Sequence, residues 1–196
     1  DWRTAFAAAH GNPHDTAARD RIAYDELFAN QLALQLVRKA ARARRGRPII
    51  GDGRLIGQLR LPYQLTGAQR RAIADITGDL AQSSPMLRLL QGDVGSGKTV
   101  VALHALLTAV EAGGQGALLA PTEILARQHY ESLRAMLAGL PVEISVLTGR
   151  DKGRARESTL MGLADGSISI VVGTHALFQD AVSYHDLALI IVDEQH

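Results

Sequence analysis

Gly92, Gly97, Lys98 and Thr99 stand at the spacing G-x-x-x-x-G-K-T, with a further glycine at 95. They lie in the run Leu89-Leu90-Gln91-Gly92-Asp93-Val94-Gly95-Ser96-Gly97-Lys98-Thr99. The order is apolar strand end, glycine loop, helix start. Glycines permit backbone angles that a Cβ forbids, so successive N–H groups can turn inward as an anion nest. The apolar helix that follows, Val100 to Leu107, aims its positive end at the same anion. In a phosphate-binding loop of this kind Lys98 reaches the β- and γ-phosphates and the Thr99 hydroxyl ligates Mg²⁺. The backbone and side chains of Gly92, Asp93, Val94, Gly95, Ser96, Gly97, Lys98 and Thr99 are thus the candidate phosphate cradle.

A second acidic motif completes such a site. Asp193-Glu194 follows the apolar run Leu189-Ile190-Ile191-Val192. Asp193 suits a water-mediated Mg²⁺ contact opposite Thr99, and Glu194 suits the orientation and deprotonation of an attacking water. Lys98, Asp193 and Glu194 are therefore the candidate catalytic residues. Gln69 has two readings. Thr66-x-x-Gln69 is a helix capping box, and a glutamine amide can also pair with a donor and an acceptor on an adenine edge. Thr122 reads as an N-cap, yet the hydroxyls of Thr122, Thr148 and Thr174 could equally hold nucleic-acid phosphates. The histidines at 104, 129 and 175 have no metal-ligand spacing with acidic partners, and His104 and His129 read as helix-face residues.

The elements that must position these groups alternate regularly. Strands are expected at 86–91, 116–120, 142–147, 168–172 and 187–192, with helices at 98–111, 122–138, 152–164 and 174–179. Near-continuous apolar strands joined by helices argue a parallel sheet covered on both faces. Ligands on such sheets lie at the strand carboxyl ends, where the glycine loop, Ala120-Pro121-Thr122-Glu123, Thr148-Gly149, Gly173-Thr174-His175 and Asp193-Glu194 all fall. Upstream, a helix is expected from about 15 to 45 and another from 65 to 81. Residues 49–56 read as a small hairpin or an extended linker, and 1–13 give little beyond Trp2, Phe6 and a turn at Gly11-Asn12-Pro13.

Hydrophobic residues make up 46% of the 196 residues, enough for a packed core. Cysteine is absent, which excludes disulfides and thiolate metal sites and suits a reducing cytosol. No apolar run reaches the length of a membrane span. Residues 1–84 hold 13 basic and 8 acidic side chains, whereas 85–196 hold 8 basic and 12 acidic. The basic run Arg38, Lys39, Arg42, Arg44, Arg45 and Arg47 reads as a solvated helix end or as a nucleic-acid contact. A chain opening on Asp1 is expected to be a piece of something longer.

The ordered set resembles the first motor domain of a superfamily-2 helicase. The residues that carry this are Leu65-Thr66-Gly67-Ala68-Gln69, the loop 92–99, Ala120-Pro121-Thr122-Glu123, Thr148-Gly149, Gly173-Thr174-His175 and Asp193-Glu194-Gln195-His196. These are the Q-motif and motifs I, Ia, Ib, Ic and II. Within that superfamily the strings at 89–99, 120–126, 171–177 and 193–196 resemble the RecG family of bacterial branch-migrating DNA helicases, and Ser96 and Gln195 distinguish it from related translocases. The long helix around Tyr24 to Gln35 resembles that family's connector from wedge domain to motor.

The resemblance implies a RecA-like P-loop NTPase domain, α/β, at 61–196, preceded at 1–60 by a connector helix and linker from a wedge domain. It implies ATP and Mg²⁺ as cofactors, and branched DNA, a second motor domain and the wedge domain as partners. It further implies a cytoplasmic, membrane-free and monomeric protein that drives fork reversal and branch migration. DNA-contact candidates are Pro121, Thr122, Thr148, Gly149, Thr174, His175, Arg42, Arg44 and Arg45. By the same resemblance Gln69 adds adenine recognition to its cap. The strand after motif II belongs between the motif I and motif II strands, so a chain ending at 196 is expected to lack a central strand. The alternatives are a transcription–repair coupling type of double-strand DNA translocase, a P-loop kinase or signalling NTPase, and a non-catalytic DNA-binding module. The separation of 95 positions between Lys98 and Asp193 speaks against most kinases.

Overall fold

Four short apolar stretches form the sheet in the computed structural model: β1 (Gln115–Leu119), β2 (Ile144–Leu147), β3 (Ile170–Gly173) and β4 (Leu187–Val192). Their order is β2-β3-β1-β4, and all three pairings are parallel. The structure describes residues 1–12, 15–43, 45–93 and 95–193, and for 38–43 the backbone alone.

Alternation along the strands fills two cores. Leu118, Ile144, Ile170 and Val172 pack on one face with Leu103, Leu106 and Leu107 of α5 (Lys98–Glu111) and with Ala126 and Leu133 of α6 (Glu123–Met136). Ala117, Leu147 and Val171 pack on the other face with Leu163 of α7 (Gly153–Asp165) and with Ala176 and Leu177 of a 3-10 turn (His175–Phe178). A period of two sends neighbouring residues to opposite faces, so a sheet covered on both sides needs these uninterrupted apolar strands. The covered parallel sheet expected from sequence is present. Gly116 of β1 is where α5 comes closest, because a Cβ there would run into the Leu106 side chain.

The chain forms two compact units, 1–46 with 83–85, and 47–82 with 86–196. The first unit holds α1 (Trp2–Gly11) and α2 (Thr16–Ala43). Asp1 caps α1 by accepting from the Thr4 N–H at 2.9 Å, and Asp15 accepts from the Ala18 N–H at 3.0 Å. The helix α1 was not legible in the sequence; so short a helix depends on packing, here against α2. Long α2 matches its expected span, and it leaves Leu27, Phe28, Leu32, Leu34, Leu36 and Val37 exposed.

Residues 47–60 pack with the second unit, where Ile49 and Leu55 are buried. The segment read as hairpin or linker forms the short helix α3 (Arg54–Gln58) instead. Its cap comes from far along the chain. The Glu111 carboxylate, at the end of α5, accepts from the N–H groups of Gly53, Leu55 and Ile56 at 2.8, 2.6 and 3.1 Å. The next helix, α4 (Gly67–Leu80), packs Ile76 and Leu80 into the α5 core.

One expected strand is not formed. Residues 86–91 join no ladder, and Leu87 and Leu89 are 87% and 72% exposed. A strand exists only beside a partner about 4.8 Å away. Among the described residues β4 is paired along one edge, by β1, and 86–91 pairs with no strand.

Candidate nucleotide site

The glycine loop opens directly into α5, which packs against β1 and β4. Gly95 and Gly97 have φ of 80° and 81°, the left-handed region that a Cβ disfavours. A Cβ on Gly92 would stand 2.7 Å from Ser96 Oγ, and one on Gly97 would run into the Gln69 amide. Gly97 is the N-cap of α5 and offers no side-chain acceptor to the N–H groups of the first turn. The loop therefore leads into a helix N-terminus with no side-chain cap, whose free N–H groups and dipole suit an anion such as a phosphate. Lys98 Nζ stays at the loop, donating to the carbonyls of Gly92 and Asp93 at 2.6 and 3.0 Å.

Gln69 joins α4 to this loop. Its Oε1 accepts from the Thr66 N–H at 2.9 Å, while its own N–H donates to Thr66 Oγ1 at 3.2 Å, so the capping box is complete. Its Nε2 donates to the Ser96 carbonyl at 2.9 Å. The cap expected from sequence is thus real, and the same amide also ties the loop. One amide hydrogen and one lone pair remain for a ligand.

The ends of the four strands form one row. Leu119 is level with Gly173 and Val192, and Gly173 with Leu147. The ladder runs one residue further: Ala120 N–H donates to Gly173 O at 2.8 Å, Asp193 N–H to Leu119 O at 2.9 Å and Thr174 N–H to Leu147 O at 3.4 Å. Residues 120, 148, 174 and 193 therefore share one edge, as the parallel topology requires.

Their side chains differ in what they offer to a ligand. Pro121, Thr122, Gly149 and His175 are exposed. The Thr122 hydroxyl caps α6 by accepting from the Leu125 N–H at 3.3 Å. Thr148 is fully buried, and both its N–H and its hydroxyl donate to Asp151 Oδ2, at 2.6 and 2.8 Å. Thr174 is 4% exposed, and its hydroxyl has no partner among the described residues. In this conformation both hydroxyls point into protein rather than toward a passing strand. Burial would by itself raise the Asp151 carboxyl, but the Thr148 hydroxyl and N–H and the Arg127 guanidinium together hold it below its ordinary value. Two ion pairs tie α6 to the loop after β2: Arg127 to Asp151 at 3.0 Å and Arg150 to Glu123 at 3.0 Å.

Asp193 carries the residue that sequence reasoning missed. Its Oδ2 lies 2.6 Å from His129 Nε2, with the two side chains 27% and 18% exposed. His129 is on α6, two turns after Thr122, and is not an idle helix-face residue. Its only sequence signal was that heptad step, which places it over the sheet on the side of Ala126 and Leu133. His104, by contrast, is a core residue whose Nδ1 bonds the Val100 carbonyl at 2.7 Å. Val94, Glu194, Gln195 and His196 lie outside the described residues, as do Arg44 and the side chain of Arg42; Arg45 is exposed. No group of three or more His, Cys, Asp or Glu able to hold a metal occurs among the described residues. The Asp193 carboxylate and the Thr99 hydroxyl are hard-oxygen donors of the kind Mg²⁺ takes. Among the described residues no helix is long and apolar enough to cross a membrane.

A family model for DEAD/DEAH box helicases matches residues 66–196. The chain is 46% identical over 181 residues to the ATP-dependent DNA helicase RecG of Haemophilus influenzae, a match covering 91% of this chain and 26% of that protein. Against RecG of Thermotoga maritima it is 45% identical over 185 residues, or 93% of this chain and 24% of that protein. A solved structure of RecG bound to a three-way DNA junction superposes with a TM-score of 0.82 at 45% identity, covering 91% of this chain and 25% of that one. The chain spans about a quarter of the length of these relatives.

Proposed function

This chain belongs to the DEAD/DEAH box helicase family, and on that premise we propose that it is the ATP-binding half of a RecG-type helicase that remodels branched DNA. Nucleotide binding follows from the family. The observation that carries the finer reading is the superposition on junction-bound RecG, at a TM-score of 0.82 over 91% of the chain.

On this reading, the Gly92–Thr99 loop and the α5 N-terminus bind the phosphates of ATP, and Lys98 exchanges the Gly92 and Asp93 carbonyls for phosphate oxygens. Thr99 and Asp193 hold Mg²⁺, which when bound neutralises charge on the phosphates. Glu194 orients and deprotonates water. Gln69 braces the loop through Ser96 and has capacity left for the adenine edge. Pro121, Thr122, Gly149 and His175, exposed along the strand-end row, position a DNA backbone without reading its sequence. Thr148 and Thr174 serve that edge by supporting its loops from beneath. A wedge domain, a second motor domain and a monomeric, cytoplasmic protein complete the proposal.

The test is fork-stimulated ATPase of the full-length protein with Lys98→Ala. Loss of a cation at the developing charge is expected to cost on the order of a hundredfold or more in turnover, with fork binding retained. Unchanged turnover refutes the proposal.

A further inference from the structure

We propose that His129 is a positioning residue for Asp193, and that it makes α6 the mechanical link between the DNA-facing edge and the metal side of the ATP site. The inference rests on the reading of Asp193 as the Mg²⁺ carboxylate.

Three observations carry it. The first is the 2.6 Å contact between His129 Nε2 and Asp193 Oδ2, with both side chains mostly buried. A contact that short to a carboxylate is a strong hydrogen bond, and it fixes the rotation of the carboxyl group. It occupies Oδ2 and leaves Oδ1 without a side-chain partner among the described residues. A carboxylate that holds a metal through one oxygen commonly needs a partner on the other.

The second observation is that α6 is anchored where it carries His129. Ala126 and Leu133, three residues before and four after, are both fully buried in the core under the sheet. With the helix held in the core on both sides of it, His129 keeps a fixed place.

The third concerns the other end of α6. Its N-cap Thr122 stands at the end of β1, and Glu123 and Arg127 pair with Arg150 and Asp151 of the loop after β2. Asp151 in turn holds the Thr148 N–H and hydroxyl. One helix thus joins the ends of β1, β2 and β4. A displacement of the exposed Pro121-Thr122 edge on DNA contact passes along the α6 backbone to His129 and so to Asp193, and the Gly149 loop joins that helix through the Arg150–Glu123 and Arg127–Asp151 pairs. Among the described residues His129 makes the one side-chain bond from Asp193 to that edge, beside the backbone bond from the Asp193 N–H to the Leu119 carbonyl.

The experiment uses the full-length protein with His129→Leu, which removes the donor, and His129→Gln, whose amide N–H can replace Nε2. Two quantities are read: the Mg²⁺ concentration that half-saturates binding of a fluorescent ADP analogue, and the ratio of fork-stimulated to basal ATPase. His129→Leu is expected to raise the Mg²⁺ requirement by roughly tenfold or more, the range seen when second partners of metal ligands are lost, and to lower the stimulation ratio. Binding of the analogue in the presence of a chelator stays unchanged, and His129→Gln restores both readouts most of the way. The idea is overturned if His129→Leu leaves the Mg²⁺ requirement where it was, or if His129→Gln is as impaired as His129→Leu. Should the Leu variant fail to fold, His129→Asn, too short to reach, replaces it with the same expectation. Asp193→Asn separates the two levels of the reading. If it leaves the Mg²⁺ requirement unchanged, the assignment of Asp193 to the metal fails; if it raises the requirement while His129→Leu does not, the positioning role alone fails.

Discussion

Gln69 allows stability and nucleotide affinity to be separated with two substitutions. Its Oε1 completes the capping box on Thr66, and its Nε2 bonds the Ser96 carbonyl of the glycine loop. Gln69→Ala removes both. Loss of a cap costs about 1 kcal/mol, and an exposed neutral hydrogen bond adds about 0.5 kcal/mol. For a domain of this size that is a fall in melting temperature of roughly 3–6 °C. Gln69→Glu keeps an acceptor for the Thr66 N–H and puts negative charge in the first turn of α4, which the helix dipole favours. Its melting temperature is therefore expected to stay near that of the parent. Its second oxygen, however, faces the Ser96 carbonyl and repels it, so the loop loses its brace. Losing about 1–1.4 kcal/mol of loop organisation weakens nucleotide binding roughly five- to tenfold. The assay is thermal denaturation beside titration of fluorescent ATP and GTP analogues. A brace acting on the loop alone weakens both nucleotides equally, whereas an amide that also reads adenine makes ATP lose more than GTP. Equal melting temperatures for the two variants, or unchanged affinity in Gln69→Glu, would refute the reasoning.

Two further predictions concern the groups around the site. Asp151 has a lowered folded pKa, so its contribution to stability is complete above its unfolded value, about 4, and is lost as pH falls through the folded value; Asp151→Asn should therefore lower the urea midpoint at neutral pH, by an amount that shrinks in acid. Tyr184 is pushed up to about 12 by burial, and its hydroxyl donates to the Leu177 carbonyl at 3.2 Å. The neutral phenol's stabilisation is complete below about 10 and is lost as pH rises toward the folded value. Absorbance titration should show a late phenolate phase near 12 that disappears in Tyr184→Phe; a phase that persists in the variant contradicts the assignment.

Much of the site could be read without coordinates because its chemistry is carried by neighbours in sequence. The glycine loop and the start of α5 are one continuous segment, and α5 runs from Lys98 to Glu111 as its apolar pattern and the glycines after it indicate. Likewise β4 ends at Val192, immediately before the acidic pair. A parallel sheet then puts every strand end on one edge by topology alone. What went unread depends on partners far away. The cap of α3 is Glu111, 58 residues after Gly53, so the segment after Gly-Asp-Gly, which reads locally as a hairpin or linker, forms a helix. The strand expected at 86–91 needs a ladder partner that its own residues cannot supply.

The threonine motifs divide along the same line. Their positions on the strand-end row were legible, but burial is a tertiary property, and it turned Thr148 onto Asp151 and sealed Thr174 away. By itself the sequence determined the glycine loop leading into α5, the apolar strands and the edge on which Asp193 lies, because each is encoded in residues a few positions apart. Only the tertiary structure decided that His129 of α6 meets Asp193 of β4 across 64 residues, since no local pattern records which side chain a packed helix presses against a strand end.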